Sequence, residues 1–373
     1  MKVGITHYNL NACGGAERVC ITIMELLRKM GLETHLVTVC PPNWTNIWRS
    51  FGKKARADKV YSLFPSELRI LSIYQRILTI IPAMKLNVDL LINTHGDVLP
   101  SFTLKKNIPS ICYCHFPTVA LIRKRYPNKY RHGFWRAYFE PYKFLINSLM
   151  LKAIKRTVKV ITNSKFSKEA IKELFGVEAE IIYPPVDVKT FNRAYHEGDR
   201  DDLVLVLGRI SKEKQQHLAI KVISKLEDVK LALAGSISPL AFSYLSYLKT
   251  LAEKLNVRDR VSFHFNASLN ELLLLMKRAK VLFHTMRGEH FGIAIVEGMC
   301  AGLIPVVWDY GGPAEFTPRK YQFHSIKEAP EKLQIALDAP TNDRRKVHRK
   351  AQEFSEKNFK KKFKNIIEEV LWM

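Results

Sequence analysis

Short apolar runs recur along the chain with room for a helix between each pair. Val3–Thr6, Thr34–Val39, Val88–Asn93, Ile108–Tyr113 and Val158–Thr162 form one series; Leu203–Leu207, Lys230–Ala234, Val261–Phe265, Val281–His284 and Ile304–Val307 form a second. Runs this short and this apolar read as buried strands, and strands alternating with helical stretches predict parallel α/β layers. The alternation is broken at Tyr183-Pro184-Pro185-Val186-Asp187, where two prolines stop regular structure, and the charged stretch Asn192–Asp202 follows. The pattern predicts an α/β chain of two domains, 1–190 and 200–350. The amphipathic run Ala351–Trp372 predicts a terminal helix over about 355–373.

The densest chemistry lies in His284–Glu297, HTMRGEHFGIAIVE. A strand ends at His284, Gly288 loosens the loop after it, and Phe291-Gly292-Ile293 opens a helix running to Cys300-Ala301-Gly302. The first N–H groups of such a helix lack internal partners and sit at its positive end, which suits a phosphate. Glu289 precedes the helix and Glu297 lies within it, on the order of 10 Å away. Glycosidase pairs stand about 5 to 9.5 Å apart across one bond and seldom share a helix, which weighs against hydrolysis. By itself the spacing also fits a surface helix with one solvated glutamate. The context is more specific: a strand, Leu303–Trp308, and then Gly311-Gly312-Pro313-Ala314-Glu315 follow.

That succession resembles family 4 of the retaining glycosyltransferases. The string GEHFGIAIVEGMCAG and the later GGP are most similar to the α-1,2-mannosyltransferases that elongate dolichol-linked oligosaccharides. The resemblance implies the GT-B arrangement, two Rossmann-like domains with parallel sheets facing an inter-domain cleft, with the last helix crossing back onto the first domain. It also implies a nucleotide-sugar donor, GDP- or UDP-linked, and no further cofactor. Glu289 would contact the donor sugar and Glu297 the ribose, with Phe291, Gly292 and Ile293 at the donor. Arg209 and Lys214, after the strand Leu203–Leu207, would hold the pyrophosphate. Many members carry glycine after that lysine, where this chain has Gln215. Gly14 and Gly15 would face the donor from the first domain, and His115 in Tyr113-Cys114-His115-Phe116-Pro117 would lie near the sugar.

Composition agrees with this picture and narrows it. With 373 residues, 47% of them apolar, there is material for two cores. No uninterrupted apolar run reaches the roughly 18 to 20 residues that span a bilayer. Arg76 interrupts the stretch Ile70–Met84, and Met1-Lys2-Val3-Gly4 enters a strand at once, so no signal peptide is expected. The six cysteines lack metal-ligand spacing and read as reduced thiols of a cytosolic protein. No metal site is expected. Asp199-Arg200-Asp201 spells Asp-x-Asp, but it lies in the charged linker and reads as solvated.

The formal net charge of +24 is uneven: residues 1–190 hold 29 Lys and Arg against 13 acids, the remainder 30 against 22. Between Leu121 and Lys159 eleven basic residues meet only Glu140 and are interleaved with aromatic rings. That mixture suits an anionic membrane surface, with Arg123, Lys124, Arg125 and Trp135 as candidate contacts. It also suits single-stranded nucleic acid, or a partly buried helix with solvated lysines. The membrane reading is favoured and nucleic acid is not expected as a partner. The expectation is a peripheral enzyme on the cytosolic face of a membrane, moving a hexose, mannose by resemblance, to a lipid-phosphate-linked glycan. The alternatives are a soluble glycosyltransferase making a disaccharide, glycolipid or polysaccharide, and a basic nucleic-acid-binding α/β protein.

Overall fold

The computed structural model describes residues 1–54, 56–68, 72–95, 108–117 and 133–371. It divides into two compact units, Met1–Pro185 with Lys357–Met373, and Val186–Glu356.

In the first unit β1 (Lys2–Thr6), β2 (Glu33–Thr38), β3 (Lys59–Ser62), β4 (Leu90–Asn93), β5 (Ser110–Cys114), β6 (Lys159–Thr162) and β7 (Glu180–Ile181) form one sheet in the order 3-2-1-4-5-6-7. Every pairing is parallel. The central strands are apolar on both faces because helices cover both, and Val3, Ile5, Leu36, Leu90, Ile92 and Ile111 are fully buried. The chain order reverses between β1 and β4. In such sheets ligands bind beyond the carboxyl ends of the strands at that reversal.

The second unit repeats the plan with β8 (Asp201–Leu207), β9 (Lys230–Gly235), β10 (Val261–Phe265), β11 (Ala279–Phe283), β12 (Ile304–Trp308) and β13 (Gln322–Phe323), ordered 10-9-8-11-12-13. These strands are also parallel. Its reversal falls between β8 and β11. The loops that follow those two strands hold Arg209, Lys214 and Glu289.

The terminal helix begins at Glu356, within one residue of the expected 355, because Gln352–Phe354 turn in a short 3₁₀ segment that separates it from the helix Thr341–Ala351. It packs in the first unit, where Phe359, Phe363, Ile366 and Ile367 are buried and Lys360 Nζ stands 2.8 Å from Glu25 Oε2.

One expectation fails. Arg200 is not solvated: it is 8% exposed, and its guanidinium donates to the carbonyl oxygens of Ala301, Met276, Ala279 and His196 at 2.7, 2.8, 2.9 and 3.3 Å. Asp201, exposed beside it, pairs with Arg278 at 2.7 Å. Between a helix end and a strand start, a fork of donors serves several carbonyl groups at once, which offsets the cost of burying the charge. Among the described residues no group of His, Cys, Asp and Glu is arranged to hold a metal ion. All six cysteines are free, and all but Cys13 are buried.

Candidate functional site

Glu289 sits in the loop between β11 and the helix Ile293–Cys300. Lys214 Nζ lies 2.5 Å from its Oε2, and His284 Nε2 lies 3.3 Å from the same oxygen. Burial alone would raise the pKa of Glu289, but His284 and Lys214 hold it well below the ordinary 4.5. The carboxylate is therefore ionised at neutral pH. Two elements fix the pair. Thr285 Oγ1 donates to the Lys214 carbonyl at 2.7 Å, and the Glu289 carboxylate accepts the His290 N–H at 3.1 Å.

The Gly311-Gly312-Pro313 segment earns its glycines here. Gly312 N–H donates to the Glu289 carbonyl at 2.8 Å, and Gly288 N–H to the Tyr310 carbonyl at 3.1 Å, so two backbones lie against each other. A Cβ on Gly312 would stand 2.1 Å from the His290 carbonyl oxygen, and one on Gly311 2.7 Å from that of Glu289. We expect Gly312→Ala to push the Glu289 loop out of place. It should lose about 1 to 3 kcal/mol of stability, as overpacked sites do, together with activity. Unfolding in urea alongside a rate assay checks this, and a variant of wild-type stability and rate would show that the contact is dispensable.

The helix Ile293–Cys300 starts at Gly292, whose φ of +86° turns the chain into it with no side-chain cap and no acidic residue in the first turn. The Ile295 N–H is already bonded to the Gly292 carbonyl at 2.9 Å, which leaves those of Ile293 and Ala294 for an anion. Phe291, assigned to the donor by resemblance, puts its side chain in the core against Phe316 and Phe354, 3% exposed. Ile293 follows Gly292 at the first helical position, and Glu297 is half-buried about 6 Å further along the axis. Arg209 follows β8, is 63% exposed and lies 3.6 Å from Glu213. Gln215 holds φ +55°, the left-handed conformation glycine takes easily, at a local cost of about 1 kcal/mol.

Two contributors escaped the sequence reading. His284 read only as a strand end, although its position five residues before Glu289 at a strand terminus was a usable signal. Arg287, exposed, is held between the rings of Trp308 and Tyr310 at 5.4 and 5.3 Å.

The first unit has its own cluster beyond β1, β4 and β5. Gly14 caps the helix Gly15–Lys29, and its N–H donates to Glu17 Oε2 at 2.7 Å. Glu17 Oε1 lies 3.2 Å from His7 Nε2, and His7 Nδ1 lies 3.1 Å from the Thr94 carbonyl. His7 Nδ1 also lies 3.0 Å from Thr94 Oγ1, whose own proton goes to the Thr6 carbonyl, so every partner accepts, both ring nitrogens donate and His7 is an imidazolium. Burial opposes that charge, yet Cys20 and Glu17 beside the ring raise its pKa above 6.5. His115 follows β5, half-buried, its ring 5.0 Å from Tyr113. Sequence reading found Gly14, Gly15 and His115 here and missed His7 and Glu17.

Of the basic and aromatic segment, Arg123, Lys124 and Arg125 lie outside the described residues. Trp135 lies on the helix Gly133–Ile154, 44% exposed, with Phe144 and Leu145 at 79% and 38%. Arg136 and Lys152 are exposed on the same helix. No helix among the described residues is long and apolar enough to cross a membrane.

Comparison with known proteins covers nearly the whole chain. Residues 13–190 match the model for Glycosyltransferase Family 4, and residues 187–360 that for Glycosyl transferases group 1. A Dictyostelium discoideum protein described as GDP-Man:Man(3)GlcNAc(2)-PP-Dol alpha-1,2-mannosyltransferase is 27% identical over 314 residues, covering 74% of this chain and 62% of that protein. The chain thus spans about three fifths of the length of such curated relatives. Among solved structures, a glycosyltransferase from Rickettsia africae superposes with a TM-score of 0.73 at 16% identity, covering 99% of this chain and 98% of that one. Anabaena HepE, solved with UDP and glucose, gives 0.71 at 17% identity with 99% of both chains covered.

Proposed function

Because the chain belongs to the glycosyltransferases of group 1 and family 4, with the GT-B fold, we propose that it transfers mannose from a nucleotide to a lipid-diphosphate-linked glycan. The observation that carries this reading is the half-buried Glu289–Lys214 pair at the reversal point of the second sheet, beside an uncapped helix N-terminus. A diphosphate arriving at that terminus competes with Glu289 for the Lys214 ammonium. Lys214, Arg209 and the first helical N–H groups then face the charge that grows on the leaving phosphate. Glu289, released from Lys214 but still ionised, is left to meet the sugar, where positive charge develops as the bond to phosphate breaks. Glu297, about one further turn along the helix, is placed for a ribose hydroxyl. No step calls for a metal ion.

The acceptor and the membrane come from the named relatives and from the charge of the first unit. The helix Gly133–Ile154 presents Trp135, Phe144 and Leu145 among cations, a surface suited to anionic lipid on a cytosolic leaflet. Each cation near such a leaflet contributes about 1 kcal/mol.

The reading is tested with purified protein, a panel of GDP-, UDP- and ADP-sugars, and a polyprenyl-diphosphate glycan acceptor. GDP-mannose is expected to raise the melting temperature and to be consumed with transfer to the acceptor, in EDTA as in magnesium. The protein is expected to float with liposomes containing anionic lipid and to detach as salt rises. Turnover only of a UDP- or ADP-sugar would overturn the mannosyl donor, a strict divalent requirement the metal-free mechanism, and equal flotation with neutral liposomes the electrostatic surface.

A further inference from the structure

We infer that His95, at the carboxyl edge of the first sheet, is a binding residue for a hydroxyl of the acceptor glycan; the inference rests on the transfer reading above. His95 follows β4 and is 9% exposed, and neither Nδ1 nor Nε2 has a hydrogen-bond partner among the described residues. The backbone around it is fixed. His95 N–H donates to Asn93 Oδ1 at 2.9 Å, and that oxygen also accepts from Thr6 Oγ1 at 3.2 Å, tying β4 to β1. The ring lies 5.4 Å from that of Tyr8 and 6.5 Å from that of His7. An imidazole shut off from water with both nitrogens idle burdens the fold, and an apolar side chain of the same size would not. Idle buried polarity at the β1–β4 reversal, where this kind of sheet binds ligands, is what a site awaiting a partner has.

The chemistry selects the partner. Burial, with the charges of Arg76, His7 and His115 nearby, holds the His95 pKa well below 6.5, so the ring is neutral. A neutral imidazole has one N–H and one lone pair, the match for an alcohol that both gives and accepts a hydrogen bond. An anion is served poorly here. Both His7 N–H groups are spent on Thr94 and Glu17, and the Gly14 N–H at the start of the helix is spent on Glu17. Arg76 lies over the Tyr8 ring at 5.2 Å. Tyr8 is half-buried beside His95, and its rotation is the movement that would open the imidazole edge to a sugar.

The test compares His95→Leu and His95→Gln with the wild type in thermal unfolding, GDP binding by calorimetry, and steady-state transfer to the polyprenyl-diphosphate glycan. The Leu variant is expected to melt at or above the wild-type temperature and to bind GDP unchanged. It should lose at least about tenfold in kcat/KM for the acceptor, the scale of a lost hydrogen bond to substrate. The Gln variant, with a donor and an acceptor in one side chain, should recover part of that loss. A Leu variant that melts lower and loses activity only in proportion would make His95 a structural residue and overturn the assignment. So would a Leu variant of full activity. Absence of transfer by the wild type with any donor would instead overturn the transfer reading itself, and this assignment with it.

Discussion

Glu289→Gln should fold like the wild type and transfer sugar about 10² to 10³ times more slowly, the range seen when one preorganised electrostatic contact to a transition state is removed. The amide keeps the shape of the side chain, and the backbone contact from Gly312 to the Glu289 carbonyl does not depend on the charge. What is lost is the ion pair with Lys214 and the negative charge offered to the sugar. Lys214 is partly exposed and can return to water, so the fold is spared. A pH signature accompanies the change. The folded-state pKa of Glu289 is depressed below 4.5, so its ion pair contributes stability that is fully present above that value and fades as pH falls below it. The stability difference between wild type and variant should therefore shrink in acid. Wild-type turnover by the Gln variant would remove Glu289 from the chemistry.

Arg200→Ala should cost about 3 to 5 kcal/mol, the largest loss of stability expected for a single change in the second unit. Four carbonyl oxygens would lose a donor, three of them, from Met276, Ala279 and Ala301, in buried contacts and that of His196 in a part-buried one. Arg200→Lys should rescue little, because one ammonium cannot serve oxygens that the planar guanidinium reaches from opposite sides. Urea unfolding measures both. A loss under about 1 kcal/mol for the Ala variant would mean that the carbonyls find other partners.

The central strands were legible because apolar residues on both faces leave a continuous signal, as in Leu203–Leu207 and Ile304–Val307. Of the edge strands, β10 was legible as Val261–Phe265, but β3, β7 and β13 were not. Lys59-Val60-Tyr61-Ser62, Glu180-Ile181 and Gln322-Phe323 are too short and too polar, since one flank of an edge strand meets solvent. The Glu289 loop was legible as a motif, but the pairing of Glu289 with Lys214 and His284 was not, because it depends on β8 and β11 lying side by side. His7 and His95 were hidden for the same reason, since they meet only through the pairing of β1 with β4, and Glu17 because its contact with His7 depends on how the first helix packs after β1. Arg200 misled because a charge between two aspartates reads as surface, and only the folded chain reveals the carbonyls around it.

The terminal helix has a consequence for how the protein is made. Phe359 and Phe363 complete the core built by Val3, Ile5 and Tyr113, so the first unit cannot close until a segment made after the whole of the second unit is available. The second unit is continuous in sequence and can fold while synthesis is still under way. Until the final turn of that helix emerges, the nascent first unit exposes an apolar groove, and that interval is when a chaperone, or a second unfinished chain, has its opportunity to bind.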